Sequence, residues 1–402
     1  MKQFNLILAC AILFWTNFSF AQTNPDISSY VKFLNNQTTS AKEYILGLFK
    51  THDIVVICER DHREFTQYDL LLNIIEDKRF INEAGNVFTE LGVSNLNPAL
   101  NSFLHTMNLP EQEQQRQILT FHRNMDPTVL WEKYSYTYLL QNLYNLNNKL
   151  PIEDAISLYP SNIPLDWSKV DSSNYKQIVL PLLRSRDSIV AAQVIEQFDE
   201  INRSSTKHKK ALVIMNYRHA FNKEFAVKSG QKISNVTEYL FKRYGNRVAN
   251  VYLYGLAYDE KENSVLLQKG KWDAAFKVTG NKSIGFNFIN TPFGKDSFDL
   301  WLFQNPYSYQ DVFTGFIFYK PIEDQKLVTG IPGFLDSSFI DEFFRRYQLC
   351  SMVFPNVRHF SQEEIANFKR DPSGWQKDIN TKREQSYPEI DSLLKIRDQW
   401  LK

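Results

Sequence analysis

The chain of 402 residues is poor in cysteine and, past its start, in long apolar runs. Its three cysteines, Cys10, Cys58 and Cys350, are too few for a disulfide framework, so the fold must rest on its core. Beyond the run from Leu6 to Trp15, no stretch approaches the roughly 20 apolar residues of a membrane-spanning helix. An excess of either charge is missing too. The 46 Lys and Arg nearly balance the 45 Asp and Glu, and no aromatic–basic repeat marks a nucleic-acid groove, so nucleic acid is not expected as a partner. No G-x-S-x-G elbow, H-E-x-x-H helix or glycine-rich phosphate loop after the first strand is present. These absences argue against an elbow-type serine hydrolase, a zincin and a nucleotide-binding fold. Internal repeats and low-complexity linkers are absent as well.

What is there begins with a leader. "MKQFNLILACAILFWTNFSFAQ" has a basic start at Lys2, an apolar run, and Ser19-Phe20-Ala21 before Gln22. That is the layout of a secretory signal peptide over 1–21, cleaved near Ala21. Cys10 is set aside as a lipidation site because it lies inside the apolar run, too early for one. The expected mature chain, 22–402, is one α/β domain, secreted or periplasmic, without a transmembrane helix. Its aromatic content of 14% reads first as core and surface, and second as an apolar-walled cleft for a small organic ligand.

Six short apolar runs read as buried strands: 53–58, 86–91, 154–159, 211–216, 250–256 and 315–320. They are nearly continuous rather than alternating, as expected when helices cover both sheet faces. Helical periodicity fills the gaps at 64–80, 129–150 and 186–204. The alternation predicts a three-layer α/β fold with a mainly parallel central sheet. About 95–150 reads as a helical insertion, because a structureless loop of that length is unusual in a compact domain. From about 330 to 402 the chain reads as an amphipathic helical tail packed against the sheet.

In open α/β sheets ligands sit beyond the carboxyl ends of the strands. The first run is followed by Glu59-Arg60-Asp61-His62, the second carries Glu90 near its end, and the fourth leads into Asn216-Tyr217-Arg218-His219. Three candidate strands thus deliver two glutamates and two histidines to one edge. A lone glutamate there is usually a cap or a surface charge, and a lone histidine usually structural. Asp61 could simply serve the N-terminus of a helix starting near Arg63 or Glu64. The convergence is the signal, since buried acids and bases are costly and cluster at functional sites. His62, Glu90 and His219 could ligate a divalent metal. The same groups could equally activate water without one, so no cofactor is required.

These motifs, in order, resemble the erythromycin-esterase-like superfamily, with which haem-binding iron-uptake lipoproteins are associated. Cys58-Glu59-Arg60-Asp61-His62 is similar to its Gly-Glu-x-x-His strand end, with Cys58 in place of Gly. "NVFTELG" resembles its next strand through Glu90. "RDSIVAAQ", Arg186 to Gln193, resembles its Arg-Asp helix, with Val190 and Gln193 in place of Met and Asn. "PSNIPLDW" and "ALVIMNYRHAF" are similar to later segments, the latter through His219, and "DVFTGFIFYKP" resembles the closing strand. The resemblance touches the chain from about 50 to 320. It implies a catalytic set of Glu59, His62, Glu90, Arg186 and His219. His62 would activate water, Glu59 and Glu90 would orient and polarise it, Arg186 would hold a carboxylate or oxyanion, and His219 would assist proton transfer. It also implies two functions: a hydrolase of an ester or amide, or a metal- or haem-binding extracytoplasmic protein without turnover. Fold resemblance does not fix the substrate.

Overall fold

The computed structural model describes residues 25–128, 133–371 and 375–402. The leader-like residues 1–21, Cys10 among them, lie outside that set. The run Ile54-Val55-Val56-Ile57 is β-branched throughout and sits at the centre of the sheet as β1 (Ile54–Glu59). Its side chains alternate between two cores. Ile54, Val56 and Cys58 enter one, and Val55 and Ile57 enter the other. Both faces are therefore buried, which is why the strand reads as unbroken apolar sequence.

The other strands are β2 (Gly85–Val93), β3 (Ser157–Asn162), β4 (Lys210–Asn216), β5 (Val248–Leu253), β6 (Ile284–Asn287) and β7 (Gly315–Phe318). Their order across the sheet is β6-β7-β5-β1-β4-β2-β3. Within this seven-stranded sheet all pairings are parallel except β6 with β7. The third strand begins later than the apolar pattern predicts, because Ile152–Asp154 forms a single 3₁₀ turn first. The short antiparallel edge β6 was not expected. Its "IGFN" carries no long apolar run, and Gly285 is kept by the close approach of the Tyr44 side chain.

Helices α1 (Pro25–Asn35) and α2 (Ala41–Leu48) precede the sheet, and α3 (Thr66–Ile75) and α4 (Lys78–Glu83) join β1 to β2. The expected insertion between β2 and β3 is α5 (Asn97–Leu104), α6 (Glu111–Asn124) and α7 (Tyr134–Asn147). Then come α8 (Tyr175–Arg184), α9 (Arg186–Arg203), α10 (Val236–Tyr244) and α11 (Lys271–Val278). One core takes Ile27 of α1, Val194 and Phe198 of α9, Leu240 of α10 and Trp272 of α11. The opposite core takes Ile45 of α2, Leu71 of α3, Phe103 of α5 and Leu139 of α7. Helices thus cover both faces of a mainly parallel sheet, the three-layer arrangement the strand pattern predicts.

The tail differs from expectation. It is not helix alone: Arg383–Gln385 pairs antiparallel with Leu327–Thr329. Its aromatics Phe339, Phe343 and Phe344 do not lie on the sheet faces. They build a third core with Val93, Trp167 and Tyr175 at the end of β2. Amphipathic periodicity gives the buried side of such helices but not the surface that buries it.

Candidate functional site

Strands β1, β4 and β2 are neighbours, with Glu59 in register with Asn216 and Thr89 with Ile214. This adjacency brings the ends of the three strands together. At β1 the chain leaves the sheet as Glu59-Arg60-Asp61-His62. Glu59 and Arg60 are buried. His62 turns back so that its Nδ1 lies 3.0 Å from Glu59 Oε1, and the Tyr68 hydroxyl donates to Glu59 Oε2 at 3.3 Å. Both partners line a cleft of about 450 Å³ with Lys133, Tyr217, Tyr252 and Tyr258.

The rest of the charge burst holds the turn in place. Arg60 points inward, pairs with fully buried Glu64 at 2.9 Å and donates to the carbonyls of Tyr254 and Tyr319. Glu64, rather than Asp61, serves the start of α3. Its Oε1 accepts from the Thr66 backbone and hydroxyl, and its Oε2 accepts from the Gln67 backbone at 3.0 Å. The helix begins at Thr66, two or three residues later than its charge pattern indicates, because the chain first makes a turn around Asp61. Asp61 pairs with Arg63 and accepts from the Tyr258 hydroxyl. Burial opposes its ionisation, but the Arg63 contacts outweigh burial and hold it at about 2.

At β2 the pairing with β3 slips between Thr89 and Val93. Such an irregularity re-aims a side chain, and here Glu90 is the buried charged residue within it. Gly92, at φ +94°, makes the bend possible, since a Cβ there would meet Pro160 Cβ at 2.6 Å. Glu90 Oε2 accepts from the Asn216 backbone at 2.7 Å, and Oε1 accepts from Arg186 Nη2 at 2.8 Å. Arg186, the first residue of α9, also donates through Nε to Asn162 Oδ1 at 3.0 Å. Its Nη1 lies 2.9 Å from His219 Nε2.

That last contact fixes a tautomer. A guanidinium only donates, so His219 Nε2 must accept and the ring proton must sit on Nδ1. Nδ1 faces Asp187 Oδ2 at 3.0 Å, and Asp187 also takes Arg218 Nη1 at 2.7 Å. Both ring nitrogens of His219 are thus used. Burial raises the carboxyl of Glu90, but the His219 ring and the Arg186 guanidinium beside it outweigh burial and hold Glu90 well below the usual range. For Asp187, burial is likewise outweighed by His219 and then Arg218, and its carboxyl is lowered.

The cleft pair behaves differently. Burial raises Glu59 above its ordinary value. Burial works against a charged His62, yet the Glu59 carboxylate outweighs it and raises the imidazole above 6.5. Cys58, in the position of the resembled glycine, is buried with its Sγ 3.5 Å from the Tyr217 carbonyl, and burial pushes its thiol well up. It lines the cleft as an inert thiol, with no thiolate character to make it a nucleophile.

All five expected site residues therefore lie at the β1–β4–β2 edge, in two sets. Glu59 and His62 line the cleft. Glu90, Arg186 and His219 interlock beside it, and Arg186 with Asp187 and Arg218 lines a different groove. Of the candidate metal donors His62, Glu90 and His219, the last two face the Arg186 guanidinium, which takes the contacts a divalent ion would. Among the described residues no set of three or more His, Cys, Asp or Glu side chains is arranged to hold a metal ion. Sequence reasoning missed Asp187, Arg218 and Asn162. The first two sit directly beside Arg186 and His219 in the chain, and that adjacency was the available signal. Among the described residues no helix is long and apolar enough to cross a membrane.

No protein-family model matches the chain, and no curated protein matches it. Two solved structures are similar. The type III effector HopBA1 matches at 10% identity and TM-score 0.33, over 57% of this chain and 88% of its own. A protein from Bacillus cereus matches at 10% identity and TM-score 0.40, over 72% of this chain and 96% of its own. At these scores the likeness is remote, and the reading below stands on this chain's own residues.

Proposed function

We propose that the protein hydrolyses an ester or amide of a small organic molecule, with His62 as the base that activates water. The observation that carries this reading is the Glu59–His62 pair, 3.0 Å apart on the wall of a cleft at the sheet's carboxyl edge. His62 takes a proton from water, and the water oxygen bonds to the carbonyl carbon. The carbonyl π pair moves to its oxygen. Collapse of that intermediate expels the alkoxide or amine, which takes the proton back from His62. Glu59 orients the ring and stabilises the imidazolium between the two steps. Glu90 and Arg186 form a fixed ion pair beside the cleft, and His219 holds Arg186. The leader-like N-terminus supports an extracytoplasmic substrate.

The test is turnover of a panel of chromogenic esters and amides by the wild type and His62→Ala. Loss of turnover in the variant, with the melting temperature retained, supports the reading. Turnover that survives removes His62 from the mechanism. If nothing is turned over, but the purified protein carries stoichiometric metal or haem that a His62/His219 double variant loses, the protein is a binding protein instead.

A further inference from the structure

An acid–base pair does not choose its substrate, and much of the cleft wall beside this one is aromatic. Glu59 and His62 share the cleft with Tyr217, Tyr252, Tyr258, Leu256 and Leu300. Tyr217 directly follows Asn216, the residue in register with Glu59, so its ring is delivered at the same sheet edge as the pair. Tyr258 lies in a short antiparallel pairing of Ala257–Tyr258 with Ser264–Val265, just after β5. Each tyrosine has given its one O–H donor to the protein. Tyr217 donates to the Leu300 carbonyl at 2.6 Å, Tyr252 to the Gly255 carbonyl at 2.9 Å and Tyr258 to Asp61 Oδ2 at 3.2 Å. The hydroxyls fix the rings, and what half-buried Tyr217 and Tyr258 offer a ligand is chiefly ring surface.

We infer that Tyr217, with Tyr258, determines the specificity of the cleft, and that the substrate carries a planar aromatic group. Two observations carry this. The first is a corner. The Tyr217 and Tyr258 rings have centroids 6.5 Å apart and planes at 75°. A flat group lying parallel to one ring is then nearly perpendicular to the other. It meets one by stacking and the other edge to face, both favoured aromatic arrangements. A puckered ring of the same size fills the space without either.

The second is the backbone. Tyr217 sits at φ +47°, and among the described residues it is the only aromatic at positive φ. That region suits glycine and disfavours a bulky side chain. Outliers of this kind collect at ligand clamps, where the surrounding structure over-determines them. Here Phe221 at 5.6 Å and Trp301 at 5.9 Å pack on the ring, and the Leu300 carbonyl takes its hydroxyl. The ring is thus set before substrate arrives, which lowers the cost of ordering it on binding.

The inference rests on the proposed hydrolysis, and its test separates the two. Two ester pairs of matched size are compared, each rate being divided by that of hydroxide cleavage. Methyl phenylacetate against methyl cyclohexylacetate varies the acyl side. Benzyl acetate against cyclohexylmethyl acetate varies the leaving side. Calorimetry measures binding of phenylacetone and cyclohexylacetone, which have no bond to hydrolyse. The wild type should prefer the aromatic member of at least one pair about fivefold to tenfold in kcat/KM, mostly through KM, and phenylacetone by a similar factor. Tyr217→Leu keeps an apolar side chain on the same backbone and should reduce these preferences to within about twofold. Tyr217→Phe keeps the ring and should retain most of them. Tyr258→Leu, on ordinary backbone, should lose them too, and it decides the matter if Tyr217→Leu does not fold. Equal binding of the two ketones by the wild type, binding of neither, or a preference that survives in both leucine variants overturns the inference. Ester turnover that depends on His62 then still stands. Ring-dependent preference for phenylacetone with no ester turnover instead overturns the hydrolysis and keeps the aromatic corner.

Discussion

His62 and His219 stand at the ends of neighbouring strands, each a few residues past the last sheet pairing, and their surroundings differ in kind. His62 faces a cleft and leans on one carboxylate that burial has already raised. His219 is held from both sides, by Asp187 at Nδ1 and Arg186 at Nε2. Its cluster contains two carboxylates, Glu90 and Asp187, and two guanidiniums, Arg186 and Arg218, so the buried charge cancels. On the proposed function, the same residue type is therefore a proton carrier in one place and a brace in the other. What separates them is what the rings face, a cleft and the Glu59 carboxylate for His62 but a carboxylate and a guanidinium for His219, which spacing in the chain does not reveal.

The sharpest way to break that comparison is to remove each ring. His62→Ala should lose about 100- to 10,000-fold in turnover, the contribution of a general base, while its melting temperature moves little. His219→Ala should show the reverse emphasis: a clear loss in the urea midpoint, with turnover falling only as Arg186 loosens. Equal behaviour of the two variants in both measurements would falsify the division. Next in size is Arg186→Met, which leaves Glu90 buried without its guanidinium. Breaking one side of a buried pair costs about 3–5 kcal/mol. Urea denaturation should find a loss of that order, partly relieved in the Arg186→Met/Glu90→Gln double variant. Additive losses would show that the two residues do not form a unit.

Much of this edge was legible from the chain. "DIVVICERDH" identifies a strand buried on both faces that opens onto an acid and a base, and the same logic places Glu90 and His219 beside it. The roles within the edge were not legible. Arg60 and Asp61 look alike as surface charges. Yet Arg60 turns inward onto carbonyls just past the end of β5 and at β7's exit, partners almost 200 and 260 positions away. Arg186 reads as an oxyanion holder until its three donor nitrogens are seen to be occupied. The β6 edge was missed because four residues interrupted by Gly285 leave no apolar period to detect.

Asp126 tests how far the insertion belongs to the site. Burial pushes its carboxyl up to about 7, against the Thr128 hydrogen bonds and the charges of Lys133 and Arg186. The unfolded chain would ionise it near 3.8. Its contribution to stability is therefore present below that value and is lost as pH rises through about 7. Asp126→Asn keeps an acceptor for Thr128 and removes the ionisation. Measured by urea denaturation, the variant should gain on the wild type between pH 5 and pH 8 by on the order of 2 kcal/mol. A pH-independent difference between the two would mean the carboxyl is already ionised at pH 5, drawn down by its cationic neighbours.

The smallest effect is the most specific to the cleft. His62 must be neutral to take a proton, and Glu59 raises its pKa above 6.5. The kcat/KM profile should therefore climb through an acid limb whose midpoint lies above 6.5, and activity should be greatest on the alkaline side of it. Glu59→Gln keeps the shape of the side chain but removes the charge that stabilises the imidazolium. The limb should move toward lower pH. The plateau should also fall, because nothing then steadies the ring between its two proton transfers. The corresponding change beside His219, Asp187→Asn, should leave the limb where it is, since both nitrogens of that ring are already committed to Asp187 and Arg186. A limb that follows Asp187 rather than Glu59 would reverse the assignment of the two histidines.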